Sequence, residues 1–107
     1  CYNFNQDISN WNVSKVTDME SMFYECRKFY QNLNSWNVGN VTIMDFMFCE
    51  TKIDNKTFPL SWNVSNVTRF NHIFYDTDVS EAMINKWVMN PCISHEDKHL
   101  MFNLYLE

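Results

Sequence analysis

The chain has 107 residues, 46% of them apolar and 17% aromatic, with a formal net charge of −5. That bounds it to one domain with a modest core and excludes a disordered segment. It also disfavours nucleic acid, which needs clustered Lys and Arg, and no run of about 20 apolar residues is present to span a bilayer.

Taken in chain order, the sequence opens at Cys1 in the middle of a repeated phrase, and so reads as a piece of a longer protein. WNVSKVTDMESMF from Trp11 returns as WNVGNVTIMDFMF from Trp36 and WNVSNVTRFNHIF from Trp62, and Trp87 falls 25 residues further on. A period in this range is the mark of one supersecondary unit stacked on copies of itself. In the first copy Trp11 and Val13 flank Asn12, a short strand alternation. Met19, Met22 and Phe23 are spaced i, i+3, i+4, which predicts one face of a helix. Thr17 with Glu20, Thr42 with Asp45 and Thr68 with Asn71 have the spacing of a capping box for that helix. Each unit is therefore expected to be a strand, a turn and a two-turn helix, with neighbouring strands paired in parallel.

Stacking predicts columns: Trp11, Trp36 and Trp62; Val13, Val38 and Val64; Met22, Met47 and Ile73; and Phe23, Phe48 and Phe74. Asn12, Asn37 and Asn63 would form an outward ladder of side-chain amides. Cys1 and Cys26 are repeat equivalents, followed by Thr51 and Thr77, as expected of a small side chain buried at a corner. In adjacent copies the two cysteines would come within disulfide reach, about 5–6 Å between Cα atoms. Cys49 and Cys92 have no repeat partners, so the redox compartment stays open. The copies disagree at Lys15, Asn40 and Asn66, at Asp18, Ile43 and Arg69, and at Ser21, Phe46 and His72. Phe46 beside Ile43 reads as an exposed apolar spot, with an internal packing role as its alternative.

The spacing Ile8-x-x-Trp11-x-Val13-x-x-Val16-x-x-Met19-x-x-Met22-Phe23-x-x-Cys26-x-x-Phe29 resembles the BspA-type leucine-rich repeat. FNQDISNWNVSKVTDMESMF is closer still to the roughly 25-residue version in mycoplasma-type surface lipoproteins. The match covers about residues 2–78 and departs in the third copy. There Phe70 and Ile73 replace methionines, and Thr57-Phe58-Pro59 alters the lead-in, which predicts a local bulge before Trp62. The resemblance implies an α/β, right-handed leucine-rich-repeat-like solenoid on a cell surface or in a secreted protein. It also implies adhesion or protein binding as the use of that fold, by analogy.

After Asp78 the phrase decays. Ser80 to Trp87 reads as a short helix with Asp78 and Glu81 as a capping pair, and Asn90-Pro91 breaks the chain. Ser94 is expected to cap a last helix through Leu106. This divides the chain into three tandem repeats over 1–78 and a helical C-terminal capping segment over 79–107 that includes Trp87. Within it, His95-Glu96-Asp97-Lys98-His99 matches the zincin pattern literally, with two histidines on one helix face and Glu96 as general base. Only eight residues follow His99, which leaves no room for the usual downstream ligand, although Cys92 would offer a third from upstream. A solvated helix face is the expected reading.

Five sequons, at Asn12, Asn40, Asn55, Asn63 and Asn66, arise mostly from the repeat phrase itself. No Gly-rich phosphate loop, nucleophile elbow or paired-carboxylate constellation is present. No cofactor and no catalytic or metal residue is therefore assigned. The expectation is a non-enzymatic module that binds a protein partner, without nucleic acid and without membrane insertion by this segment. The alternatives are a structural or assembly scaffold (secreted or virion-associated) and a metal-dependent hydrolase using His95, Glu96 and His99.

Overall fold

An eight-residue segment is too short to hold a helix by itself, since isolated helices below about 12–15 residues are marginal in water. The segments 19–26, 44–51 and 70–77 solve their backbone problem in another way, as a computed structural model of the chain shows. Residues 2–91 and 93–102 are described, except for the side chains of His95, Glu96 and His99. In the first copy, Met22, Tyr24 and Cys26 donate their N–H groups three residues back, to the carbonyls of Met19, Ser21 and Phe23. The alternate residues Met19, Ser21, Phe23 and Glu25 donate instead to Ile43, Asp45, Met47 and Cys49 of the next copy. The second copy repeats this pattern, from Met44, Phe46, Phe48 and Glu50 to Arg69, Asn71, Ile73 and Tyr75. Every second N–H is thus committed to the neighbouring copy, so no α-helix forms in these segments.

These successive turns require left-handed residues, as turns with φ > 0 at their third position do. Ser21, Phe46 and His72, and four residues later Glu25, Glu50 and Asp76, have φ between 57° and 61°. None of the six is a glycine, and the left-handed conformation costs a non-glycine residue roughly 1–2 kcal/mol. The hydrogen bonds to the next copy hold the backbone there.

This overturns the expected fold. The only strands among the described residues are β1 (Asn63–Val64) and β2 (Val88–Met89), paired in parallel with Asn63 opposite Val88. Elsewhere parallel contact is one residue wide, at Asp18–Ile43–Arg69 and Asp54–Asp78. A 3₁₀ helix, Glu81–Lys86, and one α-helix, α1 (His95–Leu100), complete the regular structure of the described residues. The extents of 34 × 27 × 22 Å are those of a compact block. The chain is not a right-handed leucine-rich-repeat-like solenoid of strand–helix coils. The i, i+3, i+4 spacing that implied helices is generated here by consecutive four-residue turns.

The expected helix caps fall with the helices. Thr42 and Thr68 donate through both N–H and hydroxyl to the carbonyls of Thr17 and Thr42, joining copies rather than capping anything. Asp45 is buried and accepts from the Asn71 N–H at 2.8 Å and from Arg69 at 2.7 Å. Asp78 pairs with Asp54 as a bridge instead of capping the 3₁₀ helix, whose N-cap residue Ser80 makes no side-chain cap bond.

The core lies between the turn segments and the tryptophans. Trp11, Trp36, Trp62 and Trp87 stack ring on ring, with centroids 6.2–6.4 Å apart and planes within 14°. Each of the last three donates its indole N–H to a carbonyl of the preceding copy: Ile8, Leu33 and Pro59 respectively. Trp87 therefore continues the column, beside β2. Phe23, Phe48 and Phe74 form a second stack at 5.7 and 5.9 Å.

At one end, the last residue of α1 and the two after it lie on the third copy. Leu100 and Met101 accept from the His72 and Phe74 N–H groups, and Phe102 stacks on Phe74. The expected Ser94 cap is present: the Asp97 N–H donates to the Ser94 hydroxyl, and the Ser94 N–H donates to the Asp97 carboxylate. That helix ends at Leu100, and the residues beyond Phe102 lie outside those described.

The extra residue between copies two and three is taken up at the corner 54–60. Asp54 collects the N–H groups of Lys56 and Thr57, Leu60 donates to Phe58 across a tight turn, and Phe58 enters the core against Phe74 and Trp87.

Candidate interaction surface

The positions where copies disagree are only partly free. Phe46 is half-buried, with its ring 5.7 Å from Tyr24 and 4.9 Å from His72, and Tyr75 lies 6.4 Å beyond His72. Ile43 is half-buried, and Arg69, although exposed, is engaged by the buried Asp45. Phe46 is thus the middle of an aromatic row that crosses three copies rather than an isolated exposed spot. Asn40 and Asn66 donate their side-chain amides to the Ser14 and Gly39 carbonyls of the preceding copy, at 2.7 and 2.6 Å. They make the ladder expected of Asn12, Asn37 and Asn63, which instead fold back locally on the N–H two residues on. That local bond is the ordinary Asx turn. Of the sequon asparagines, Asn40 and Asn66 already use the amide nitrogen that a glycan would occupy.

Beside the aromatic row an open groove of about 570 Å³ crosses the copies, lined by Arg27, Tyr30, Glu50, Thr51, Lys52, Asp54, Asp76, Thr77 and Asp78. The turn geometry builds it, because the left-handed residues Glu50 and Asp76 occupy the same place in consecutive copies. Thr51 and Thr77 form its floor, each hydroxyl donating to the carbonyl three residues back. Arg27 pairs with Glu50 and lies 5.6 Å over the Tyr2 ring. The hydrogen bond and charge of Glu50 raise the guanidinium above its usual value. Tyr30 donates its hydroxyl to Asp54 at 3.1 Å. Desolvation pulls the Asp54 carboxyl up, but the amides of Thr57 and Lys56 and the hydroxyls of Tyr30 and Thr57 together hold it below its ordinary value. Four carboxylates thus face two cations in the groove, and one of those cations is already engaged.

Cys49 lies buried under this surface as a free thiol, pushed up to about 12 by burial and then by Glu50, Asp76 and Glu25. It stays protonated at neutral pH, the opposite of a nucleophilic cysteine. Cys26 is fully buried and disulfide-bonded. The Cys1 half of the expected Cys1–Cys26 pairing lies outside the described residues.

His95 and His99 are one turn apart on α1, but their side chains and that of Glu96 lie outside the described residues, as does Cys92. Within the same motif Asp97 is occupied by the Ser94 cap. Among the described residues no group of three or more His, Cys, Asp or Glu could hold a metal ion, and no helix is long and apolar enough to cross a membrane. Sequence reasoning missed the groove, since its residues recur with the period but differ in type, and only the turns bring them to one face.

Fold and surface together define a protein built of in-register repeats with a polar and aromatic face running across them. Residues 1–104 match the family described as "Mycoplasma protein of unknown function, DUF285", and the chain belongs to that family. Neither this match nor the architecture carries the leucine-rich-repeat expectation. No curated protein and no solved structure matches the chain.

Proposed function

We propose that this chain is a non-enzymatic protein-binding module of a surface-exposed protein, and that it binds through the groove and the aromatic row beside it. The observation that carries this reading is the groove itself. It is open and polar, edged by the exposed Tyr30, and shared among copies rather than enclosed in one. Small-molecule sites are concave and largely apolar, whereas tyrosine and arginine on an open face are the residue types that dominate protein interfaces. The excess of carboxylates favours a partner that presents Lys or Arg side chains. Surface exposure is supported by the likeness of the repeat phrase to surface lipoproteins.

A displayed library of Lys- and Arg-bearing peptides tests the reading. Binders selected on the wild-type chain should be lost on the double variant Asp76→Lys, Asp78→Lys. They should be retained on Lys86→Glu, a charge change at an exposed residue outside the groove. Equal binding by all three proteins would remove the groove from the assignment.

A further inference from the structure

Arg69 is the one cation in its column, since parallel bridges place it after Asp18 and Ile43. Its guanidinium lies 2.7 Å from the Asp45 carboxylate, and the two partners are unequally exposed, Arg69 at 56% and Asp45 at 4%. The carboxylate is also committed on its inner side, where Oδ1 accepts the Asn71 N–H at 2.8 Å. Solvent therefore meets the cation and not the anion. A buried carboxylate is costly alone, and here it is paired with one end of a long side chain. The arginine is held in place before any ligand arrives, which lowers the ordering cost of binding. Only Nη2 is given to Asp45, so most of the guanidinium's five N–H donors stay available.

Asp45 also fixes where this cation stands. It immediately precedes Phe46, and the N–H that it accepts belongs to Asn71, which immediately precedes His72. Phe46 and His72 are the central pair of the aromatic row, with rings 4.9 Å apart. The guanidinium thus borders the row where the turn segments begin, and the groove carboxylates Glu50, Asp76 and Asp78 border it where they end. Glu50 is paired with Arg27, whereas Asp76 and Asp78 have no ion pair among the described residues. The turns 70–73 and 72–75 lie between Arg69 and Asp76. Each such turn spans less than about 7 Å between its end Cα atoms, which puts the two charges on the order of 10 Å apart.

We propose that Arg69 is a second recognition point of this face, and that it takes an acidic side chain of the same partner segment whose Lys or Arg enters the groove. The inference rests on the groove reading and deepens it. The partner is a polypeptide with a carboxylate and a cation about three residues apart along an extended chain. The planar fork of arginine matches two carboxylate oxygens, so Asp or Glu is the group selected. Asp45 acts as a positioning residue. The opposed charges also set the direction of docking, because a segment laid the other way meets like charges at both ends.

The test is a displayed library of short peptides randomised at every position and selected on the wild-type chain. Binders should carry a Lys or Arg and, at a constant spacing of about three residues, an Asp or Glu. Such a peptide should bind about tenfold more weakly to the double variant Arg69→Gln, Asp45→Asn. That variant exchanges the ion pair for neutral amides, strands no buried charge and leaves an oxygen for the Asn71 N–H. Its thermal unfolding midpoint, read alongside, reports on the fold. Arg69→Lys guards against a loss of folding there, since it keeps the charge beside Asp45 and removes only the fork, and it should cost several-fold in affinity. Replacing the peptide's acidic residue by alanine should weaken binding to the wild type and change nothing on the double variant. Binders that need Asp76 and Asp78, show no acidic enrichment and hold the Arg69 variants as tightly as the wild type would overturn the inference and leave the groove reading standing. Binders indifferent to Asp76→Lys, Asp78→Lys would remove both.

Discussion

The Trp-Asn-Val stretch and the Met-x-x-Met-Phe stretch of each copy do the same job with different atoms. In the first, copies are joined mainly through side chains, with the backbone adding the short β1–β2 pairing: an indole donates to a carbonyl, rings lie in parallel stacks, and Ser and Asn reach the preceding backbone. In the second they are joined by the backbone itself. Where side chains join the copies, residue identity must repeat. Where the backbone does so, Ser21, Phe46 and His72 can share a position. Ser21, Phe46 and His72, and with them the aromatic row and the groove residues Glu50 and Asp76, fall on the backbone-joined side.

The comparison breaks first at the tryptophans. Trp62→Ala should destabilise by about 3–5 kcal/mol in chemical denaturation, as large aromatic truncations in cores do, while the half-exposed Trp11→Ala should cost about 1 kcal/mol. Equal losses would mean that the column does not carry the joining. Alkaline titration reaches the backbone-joined side through Cys49. Its thiol is raised in the folded protein, so the contribution to stability is complete below the ordinary thiol value. It is lost as pH rises from about 8.5 towards the folded value of about 12. The slope of stability with pH in that window should flatten in Cys49→Ala, read by urea midpoints. Asn66→Ala, which removes a bond between copies, and Asn63→Ala, which removes a turn bond within one, should each cost about 1 kcal/mol. Both effects are visible as thermal shifts of a few degrees. The smallest effect has the most informative sign. Glu25→Gly relieves a left-handed residue worth about 1–2 kcal/mol against an added glycine entropy of about 0.5–1 kcal/mol. The net outcome should be a slight gain, whereas Tyr24→Gly next to it should lose stability.

The same contrast explains what could be read beforehand. The columns of Trp, Phe and Val follow from residue identity and period, and they are present in the structure, with Trp87 in line. The expected helices are turns instead, because Met19, Met22 and Phe23 satisfy a helical spacing and a turn spacing equally. The six left-handed positions carry no glycine or asparagine to announce them. Thr17 with Glu20 looked like a capping box for the same reason that Ser94 with Asp97 is one, and only the Ser94 pair has a helix behind it. Asn12, Asn37 and Asn63 recur because each closes its own turn, a local demand that has the same period as a ladder. The groove was illegible, since Glu50, Asp54, Asp76 and Asp78 come to one face through backbone geometry that the side chains do not encode.

The corner at 54–60 has a further consequence for how such chains can change. The bonds that set the register between copies lie in the turn segments and at the tryptophans, and the corner between them absorbs one more residue in the third copy than in the second. The extra residue of the third copy leaves the turn-segment bonds and the tryptophan column in place, with Phe58 turned inward. Length polymorphism in this family should therefore collect just ahead of each tryptophan and be nearly absent between the tryptophan and the turn.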